Sequence, residues 1–232
     1  MNLVKHIPNT ITCLNLISGA LSIKFAFAGE YTGAFAMMLM ASVFDFCDGF
    51  AARLLKAYSD VGKELDSLAD VISFGLAPSL ILFTYLSEYS SLPAWVAYST
   101  FFIAALSAVR LAKFNLDTRQ SKSFIGLPTP ANGLFIGALV AFAASHCEPL
   151  HLVLTTTWIT PILCIALALL LVSEVPMFSL KSITKGHYFF FGLAIITIAA
   201  AVILAIHFSG IISLIFAEYI LWNTISSFFT RR

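Results

Sequence analysis

Long apolar stretches separated by short polar breaks form the dominant pattern of this chain. A helix needs about 20 apolar residues to cross the roughly 30 Å hydrocarbon core of a bilayer, so each stretch predicts a transmembrane helix. The predicted helices cover residues 11–28, 33–57, 64–87, 93–114, 130–146, 151–173, 187–207 and 210–228. The pattern therefore predicts a bundle of about eight transmembrane helices, within a range of six to eight.

Composition leads independently to the same class of protein. Of the 232 residues, 59% are hydrophobic and 11% are charged, and the mean hydropathy is +0.93. Soluble domains carry about 25% charged residues. We therefore expect an all-α integral membrane protein that forms a single domain over residues 1–232. The formal net charge of +1 gives no indication of a nucleic-acid partner.

The basic residues indicate how the helices are oriented, because cytoplasmic loops of membrane proteins are enriched in Lys and Arg. With a cytoplasmic N-terminus, the predicted cytoplasmic segments contain Lys5, Arg53, Lys56, Lys63, Arg110, Lys113, Arg119, Lys122, Lys181, Lys185, Arg231 and Arg232. Lys24 alone is left over, and the opposite loops carry Glu30, Glu88 and Glu148. This distribution predicts an even number of helices with both termini in the cytoplasm.

Four acidic residues interrupt the second and third predicted helices: Asp45, Asp48, Asp66 and Asp70. A charge at the centre of a bilayer costs roughly 3 kcal/mol or more, so these positions indicate a function. At about 100° per residue, each pair of acids lies on one face of its helix, and the two faces can meet. Clustered carboxylates repel one another unless cations neutralise them, and oxygen ligands favour Mg²⁺ or Mn²⁺ over zinc. The sequence therefore predicts a divalent-metal site.

Small residues accompany the first acidic pair. Gly49 and Ala52 follow Asp48 on the same predicted face and leave room for a large ligand, such as a metal-bridged pyrophosphate. The structural alternative is that the acids merely pair with neighbouring Lys and Arg. The three basic residues between positions 45 and 70 are too few to balance all the acids there.

The spacing Asp-x2-Asp-Gly-x2-Ala-Arg-x8-Gly-x3-Asp-x3-Asp over residues 45–70 resembles the signature of the CDP-alcohol phosphotransferase family at every signature position. The resemblance implies two Mg²⁺ or Mn²⁺ ions held by the four aspartates, with Asp70 also taking the proton of the acceptor hydroxyl. It also implies a homodimer. The residues expected beside the nucleotide are Asn9, Thr12, Gly49, Ala52, Arg53 and Gly62.

Further segments resemble the phosphatidylserine synthase branch of this family, at residues 8–16, 70–78, 110–115 and 126–131. Within the second of them, Gly75 and Pro78 predict a bent or loosened helix beyond the acidic pair.

The third segment places Arg110, Lys113 and Asn115 at a cytoplasmic helix end, where positive charge also complements the helix dipole. In the functional interpretation they bind the acceptor carboxylate or the lipid-side phosphate, because Arg presents a fork that matches either anion.

The resemblance implies transfer of the phosphatidyl group of CDP-diacylglycerol to L-serine at the cytoplasmic face of the cell membrane. Other acceptors within the family stay open: choline, glycerol phosphate or inositol phosphate, and an archaeal ether lipid could replace diacylglycerol. From a different class, a divalent-cation channel or transporter also places aspartates in membrane helices. A channel needs a polar path through the bilayer, whereas the polar residues here collect in the predicted cytoplasmic half. Residues 134–232 are expected to be scaffold.

Overall fold

A computed structural model describes residues 6–116, 124–177 and 208–230 and confirms the all-α class. Its α-helices are α1 (Ile7–Phe27), α2 (Tyr31–Leu54), α3 (Asp60–Asp70), α4 (Ala77–Tyr89), α5 (Phe101–Leu116), α6 (Thr129–His146), α7 (Glu148–Thr156), α8 (Ile159–Val172) and α9 (Phe208–Thr230). A π-helical segment, Val71–Leu76, joins α3 to α4, and a 3₁₀ helix, Ala94–Thr100, precedes α5. Two short strands, β1 (Phe124–Ile125) and β2 (Pro176–Met177), pair antiparallel.

Within the described residues, five helical stretches are long and apolar enough to cross a membrane. They are Ile7–Phe27, Tyr31–Leu54, Asp60–Tyr89, Ala94–Leu116 and Phe208–Ser227. A sixth candidate is the pair α6 and α7, which is bent by 119° between the two helices. These stretches match the first five predicted helices and the last one. The predicted helix at 187–207 lies outside the described residues.

The predicted continuous helix at 151–173 differs from the structure, which divides this range into α7 and α8. Thr157 adopts an extended conformation with φ −110° and ψ 152°. A proline ring clashes with the carbonyl group four residues earlier in a helix, and Pro161 stands four residues after Thr157. The first helix therefore ends at Thr156, and a new helix begins at Ile159.

The long third helix is loosened immediately after Asp70, as Gly75 and Pro78 predicted. The six residues from Val71 to Leu76 form a π-helical segment, and π-segments are frequent at functional sites. Pro78 has no N–H group to donate to the carbonyl of Phe74, so the regular α-helical bond is absent there. The π-helical segment therefore lies between α3, which contains Asp66 and Asp70, and the apolar helix α4.

The ends of the helices meet in two groups. At one end, Lys63 Nζ in α3 donates to the carbonyl of Asn115 in α5 at 3.0 Å. At the other end, the Ser91 amide donates to the carbonyl of Thr155 at 3.0 Å. The first group also contains the start of α1, the end of α2 and the start of α6. We call it the site end, because it contains the open cavity and the Arg110 contacts described below.

Candidate active site

The acidic faces of α2 and α3 meet in the structure. Carboxylate oxygens of Asp45, Asp48 and Asp66 all lie within 4.8 Å of one another. One oxygen of Asp48 (Oδ2) and one of Asp66 (Oδ1) are buried and have no hydrogen-bond partner. Buried carboxylates without partners are costly, and a cation resolves both their repulsion and their unpaired oxygens. This cluster, Asp45, Asp48 and Asp66, therefore fits a divalent cation that prefers oxygen ligands.

Asp70 lies one turn beyond Asp66 and is only 8% exposed. Its Oδ1 accepts a hydrogen bond from Asn15 Nδ2 of α1 at 3.3 Å. The carboxylate is within electrostatic range of Asp45 and Asp66, although it is not part of the three-residue cluster. Asn15 is 0% exposed and was not among the predicted site residues. Its spacing of three residues from Thr12, on the same face of α1, is the signal that could have identified it.

An open cavity at the site end lies directly beside Asp48 and Asp66. It is bounded by the start of α1, the end of α2 and the start of α3. All six residues predicted beside the nucleotide contribute to its lining: Asn9, Thr12, Gly49, Ala52, Arg53 and Gly62. The sequence did not identify Tyr58 and Lys63, which also line the cavity.

The wall formed by α3 packs closely against α1 at Gly62. A Cβ atom added to Gly62 would lie 2.9 Å from Asn9 Oδ1, closer than carbon and oxygen normally approach. Ser59 caps this helix, since its Oγ accepts from the Gly62 amide at 3.0 Å. A side chain at position 62 would therefore require Asn9 to shift, and Ser59 stabilises the start of α3.

The three residues predicted to bind the acceptor separate in the structure. Arg110 is 6% exposed, and its Nη1 donates to Thr129 Oγ1 at 3.1 Å. Asn115 instead donates through Nδ2 to Ser67 Oγ of α3 at 2.9 Å. Lys113 is exposed. Of the three, Arg110 is thus the one that turns into the bundle, toward the start of α6.

The loop before α6 is fixed by the end of α8. Gly126 has φ +77°, and its amide donates to the Val175 carbonyl at 2.9 Å. A Cβ atom there would lie 2.5 Å from the Leu171 carbonyl oxygen. The Leu127 amide donates to the Leu170 carbonyl at 3.0 Å. The part of the chain expected to be scaffold therefore holds the loop that leads to Thr129, the partner of Arg110.

These features define a multi-pass membrane protein with a carboxylate cluster beside an open cavity. The profile of the CDP-alcohol phosphatidyltransferase family matches residues 5–226. The chain belongs to this family.

Several curated relatives align with more than half of this chain. A CDP-diacylglycerol–serine O-phosphatidyltransferase of Mycobacterium leprae is 34% identical over 209 residues, which is 86% of this chain and 67% of the relative. The protein of the same name from Methanocaldococcus jannaschii is 32% identical over 213 residues, 92% of this chain and 91% of the relative. One from Helicobacter pylori is 39% identical over 131 residues, 56% of this chain and 54% of the relative.

Proposed function

We propose that this protein transfers the phosphatidyl group of CDP-diacylglycerol to the hydroxyl of L-serine, with phosphatidylserine and CMP as products. The observation that carries the proposal is the position of the carboxylate cluster. The cluster opens directly onto the cavity that is lined by all six residues predicted to lie beside the nucleotide. The names of the relatives from Mycobacterium leprae and Methanocaldococcus jannaschii support the lipid donor and serine as substrates.

We assign Asp45, Asp48, Asp66 and Asp70 as the residues that would hold two divalent cations, Mg²⁺ or Mn²⁺. Such ions, when bound, would neutralise the pyrophosphate and stabilise the leaving phosphate oxygen. The unpartnered oxygens of Asp48 and Asp66 support this assignment.

The cavity residues bind and orient the nucleotide in this proposal. Gly49, Ala52 and Gly62 present little side-chain bulk, so the cytidine end lies close to the backbone of α2 and α3. Arg53 lines the same cavity, where its guanidinium binds a phosphate oxygen. Binding at these residues places the scissile phosphate next to the carboxylate cluster and thereby reduces the entropic cost of reaching the transition state.

Asp70 is the proposed general base. It takes the proton of the serine hydroxyl as the oxygen–phosphorus bond forms and the bond to CMP breaks. Asn15 fixes the orientation of the carboxylate through its hydrogen bond to Oδ1. Arg110 is within electrostatic range of Asp70 and binds the serine carboxylate, which brings the hydroxyl toward the base. A positioned base within reach of the proton increases the rate by about 10²- to 10⁴-fold.

The acceptor is tested with purified protein, labelled CDP-diacylglycerol and a panel of alcohols that includes L-serine, choline, glycerol 3-phosphate and inositol 1-phosphate. We expect CMP release that requires both a divalent metal and L-serine. Faster release with another alcohol would contradict serine as the acceptor. A cation channel or transporter would release no CMP with any of them.

We further propose that the site end faces the cytoplasm of the cell, with both termini on that side. The basic residues Arg53, Lys56 and Lys63 lie at this end, whereas Glu30 and Glu88 lie at the other, as expected for cytoplasmic loops. The homodimer stays a prediction.

Thiol labelling in intact cells tests the orientation. In a variant without the four native cysteines, a cysteine at Ser91 should react with an impermeant reagent, and one at Ser59 should react only after the membrane is opened. Both positions are exposed in the structure, so burial does not explain a difference. The reverse pattern would place the site on the outer face.

A further inference from the structure

Asn132, in the first turns of α6, is a fully buried residue whose side-chain amide has no hydrogen-bond partner. It is 0% exposed, and neither Nδ2 nor Oδ1 of its side chain has a hydrogen-bond partner. Buried polar groups are almost always hydrogen-bonded, because losing water without a replacement partner is costly. An amide with both ends unpaired therefore indicates a ligand that supplies a donor and an acceptor.

The position of Asn132 relates it to Arg110. Thr129, three residues earlier, lies on the same face of α6 and accepts the hydrogen bond from the Arg110 guanidinium. The Nε of Arg110 is also buried and without a partner. The start of α6 thus combines the positive end of a helix dipole with a buried guanidinium, and both attract an anion.

Close packing at two glycines places this part of α6 beside the proposed reaction centre, which contains Asp45 and Asp70. A Cβ atom on Gly133 would lie 2.8 Å from the carbonyl oxygen of Phe74, four residues after Asp70. A Cβ atom on Gly137 would lie 2.8 Å from Met38 Sδ of α2. Because α2 and α6 run in opposite directions, the turn of α6 before Gly137 packs toward the part of α2 that contains Asp45.

The unpaired atoms match the polar groups of an α-amino acid. Arg110 Nε and Asn132 Nδ2 are donors, and Asn132 Oδ1 is an acceptor. An α-amino acid offers a carboxylate to the donors and an ammonium group to the acceptor. Glycerol phosphate and inositol phosphate offer this acceptor only neutral hydroxyl donors, which make weaker hydrogen bonds than a charged ammonium group, and the quaternary ammonium of choline has no N–H to donate.

We infer that Asn132 is a specificity-determining residue of the acceptor site. Its Nδ2 donates to the carboxylate that Arg110 binds, and its Oδ1 accepts from the α-ammonium group. This inference rests on the proposed function, since it requires an amino acid as the acceptor. It adds a residue of α6 to a site that the sequence motifs assigned to α5.

The test is steady-state kinetics of the full-length chain with Asn132→Leu, which keeps the number and branching of the side-chain heavy atoms and removes both polar atoms. We expect the KM for L-serine to rise about tenfold or more, because hydrogen bonds to charged groups are lost. The KM for CDP-diacylglycerol and the half-saturating Mg²⁺ concentration should change by less than about twofold. The preference for L-serine over 3-hydroxypropionate, which lacks the ammonium group, should shrink.

Thermal unfolding in detergent separates ligand binding from a structural role. We expect Asn132→Leu to keep or raise the Tm without substrate, because it removes an unsatisfied buried amide. The upward shift of Tm on adding L-serine should be lost. Thr160→Val is the matched control: Thr160 is also 0% exposed but donates to the Leu154 carbonyl at 2.7 Å. This control should lower the Tm and leave both KM values unchanged.

Three outcomes would overturn the inference. They are an unchanged KM for L-serine in folded Asn132→Leu, a changed Mg²⁺ requirement with that KM unchanged, or a lower Tm without a kinetic effect. If the leucine variant does not fold, Asn132→Ser is judged by the same measurements. A wild-type protein that does not use L-serine at all would overturn the proposed function itself, whereas normal wild-type activity with an unaffected variant overturns this inference alone.

Discussion

Asp66→Asn is expected to lower the turnover number by about 100-fold or more, the usual size of metal and general acid–base contributions. The substitution keeps the size of the side chain and removes one of three carboxylates whose oxygens lie within 4.8 Å of one another. Since the amide oxygen is a weaker ligand than a carboxylate, higher Mg²⁺ or Mn²⁺ should be needed for the remaining activity. Asp45→Asn should behave in the same way. The measurement is CMP release from labelled CDP-diacylglycerol over a range of metal concentrations.

Glu64→Gln is the matched control for this prediction. It makes the same acid-to-amide change in α3, two residues before Asp66, at an exposed position. It should retain nearly the full rate, and all variants should elute as folded protein in detergent. Without metal, Asp66→Asn should be at least as stable as wild type, because one member of a repelling cluster is neutralised. More than about a tenth of the wild-type rate in both aspartate variants would contradict the metal assignment.

Arg110→Lys is expected to raise the KM for L-serine by about tenfold, because hydrogen bonds to charged groups contribute about 1.5 to 3 kcal/mol. Lysine keeps the charge but loses the planar fork that can donate to Thr129 and to a carboxylate together. Arg110→Ala should have the larger effect, since it also leaves Thr129 without its donor. The measurement varies L-serine and CDP-diacylglycerol independently.

Lys113→Ala tests whether Lys113 binds the acceptor together with Arg110, as the sequence interpretation held, or whether Arg110 binds it without Lys113, as the structure indicates. If Arg110 and Lys113 acted as one cationic cluster, their substitutions would have similar effects on the KM for L-serine. The structure buries Arg110 and exposes Lys113, so we expect a much smaller effect at Lys113. An unchanged KM for L-serine in Arg110→Lys and Arg110→Ala would remove Arg110 from the acceptor site. A change confined to the KM for CDP-diacylglycerol or to the turnover number would place Arg110 at the lipid-side phosphate instead.

Local rules explain why much of the bundle could be predicted. Apolar stretches long enough to cross a bilayer gave the bounds of α1, α2 and α6 to within a few residues, since each turn of a helix satisfies its own backbone. The loosened turn after Asp70 could be predicted from Pro78, because proline has no backbone N–H group to donate within a helix. The division of 151–173 at Thr157 was missed, because an apolar pattern does not register the conflict with Pro161.

Contacts between distant segments could not be predicted in the same way. Helical spacing paired Asp45 with Asp48, but it could not show that Asn15, 55 residues before Asp70, donates to its carboxylate. The segment at residues 110–115 also grouped Arg110 with Asn115 at one helix end, whereas their side chains bind Thr129 and Ser67 on different helices.

The sequence by itself determined the membrane class and the two acidic faces, and its resemblance to the family pointed to six residues that line the cavity. The membrane class and the acidic faces depend on apolar length and on periodicity along one helix, which a single segment encodes. Tertiary structure alone decided that α8 fixes the loop before α6, that Arg110 turns inward, and that the Asn132 amide is buried without a partner. The physical reason is that the burial of a side chain and its hydrogen bonds depend on a second helix or loop packed against it. Such elements come together only in the folded bundle.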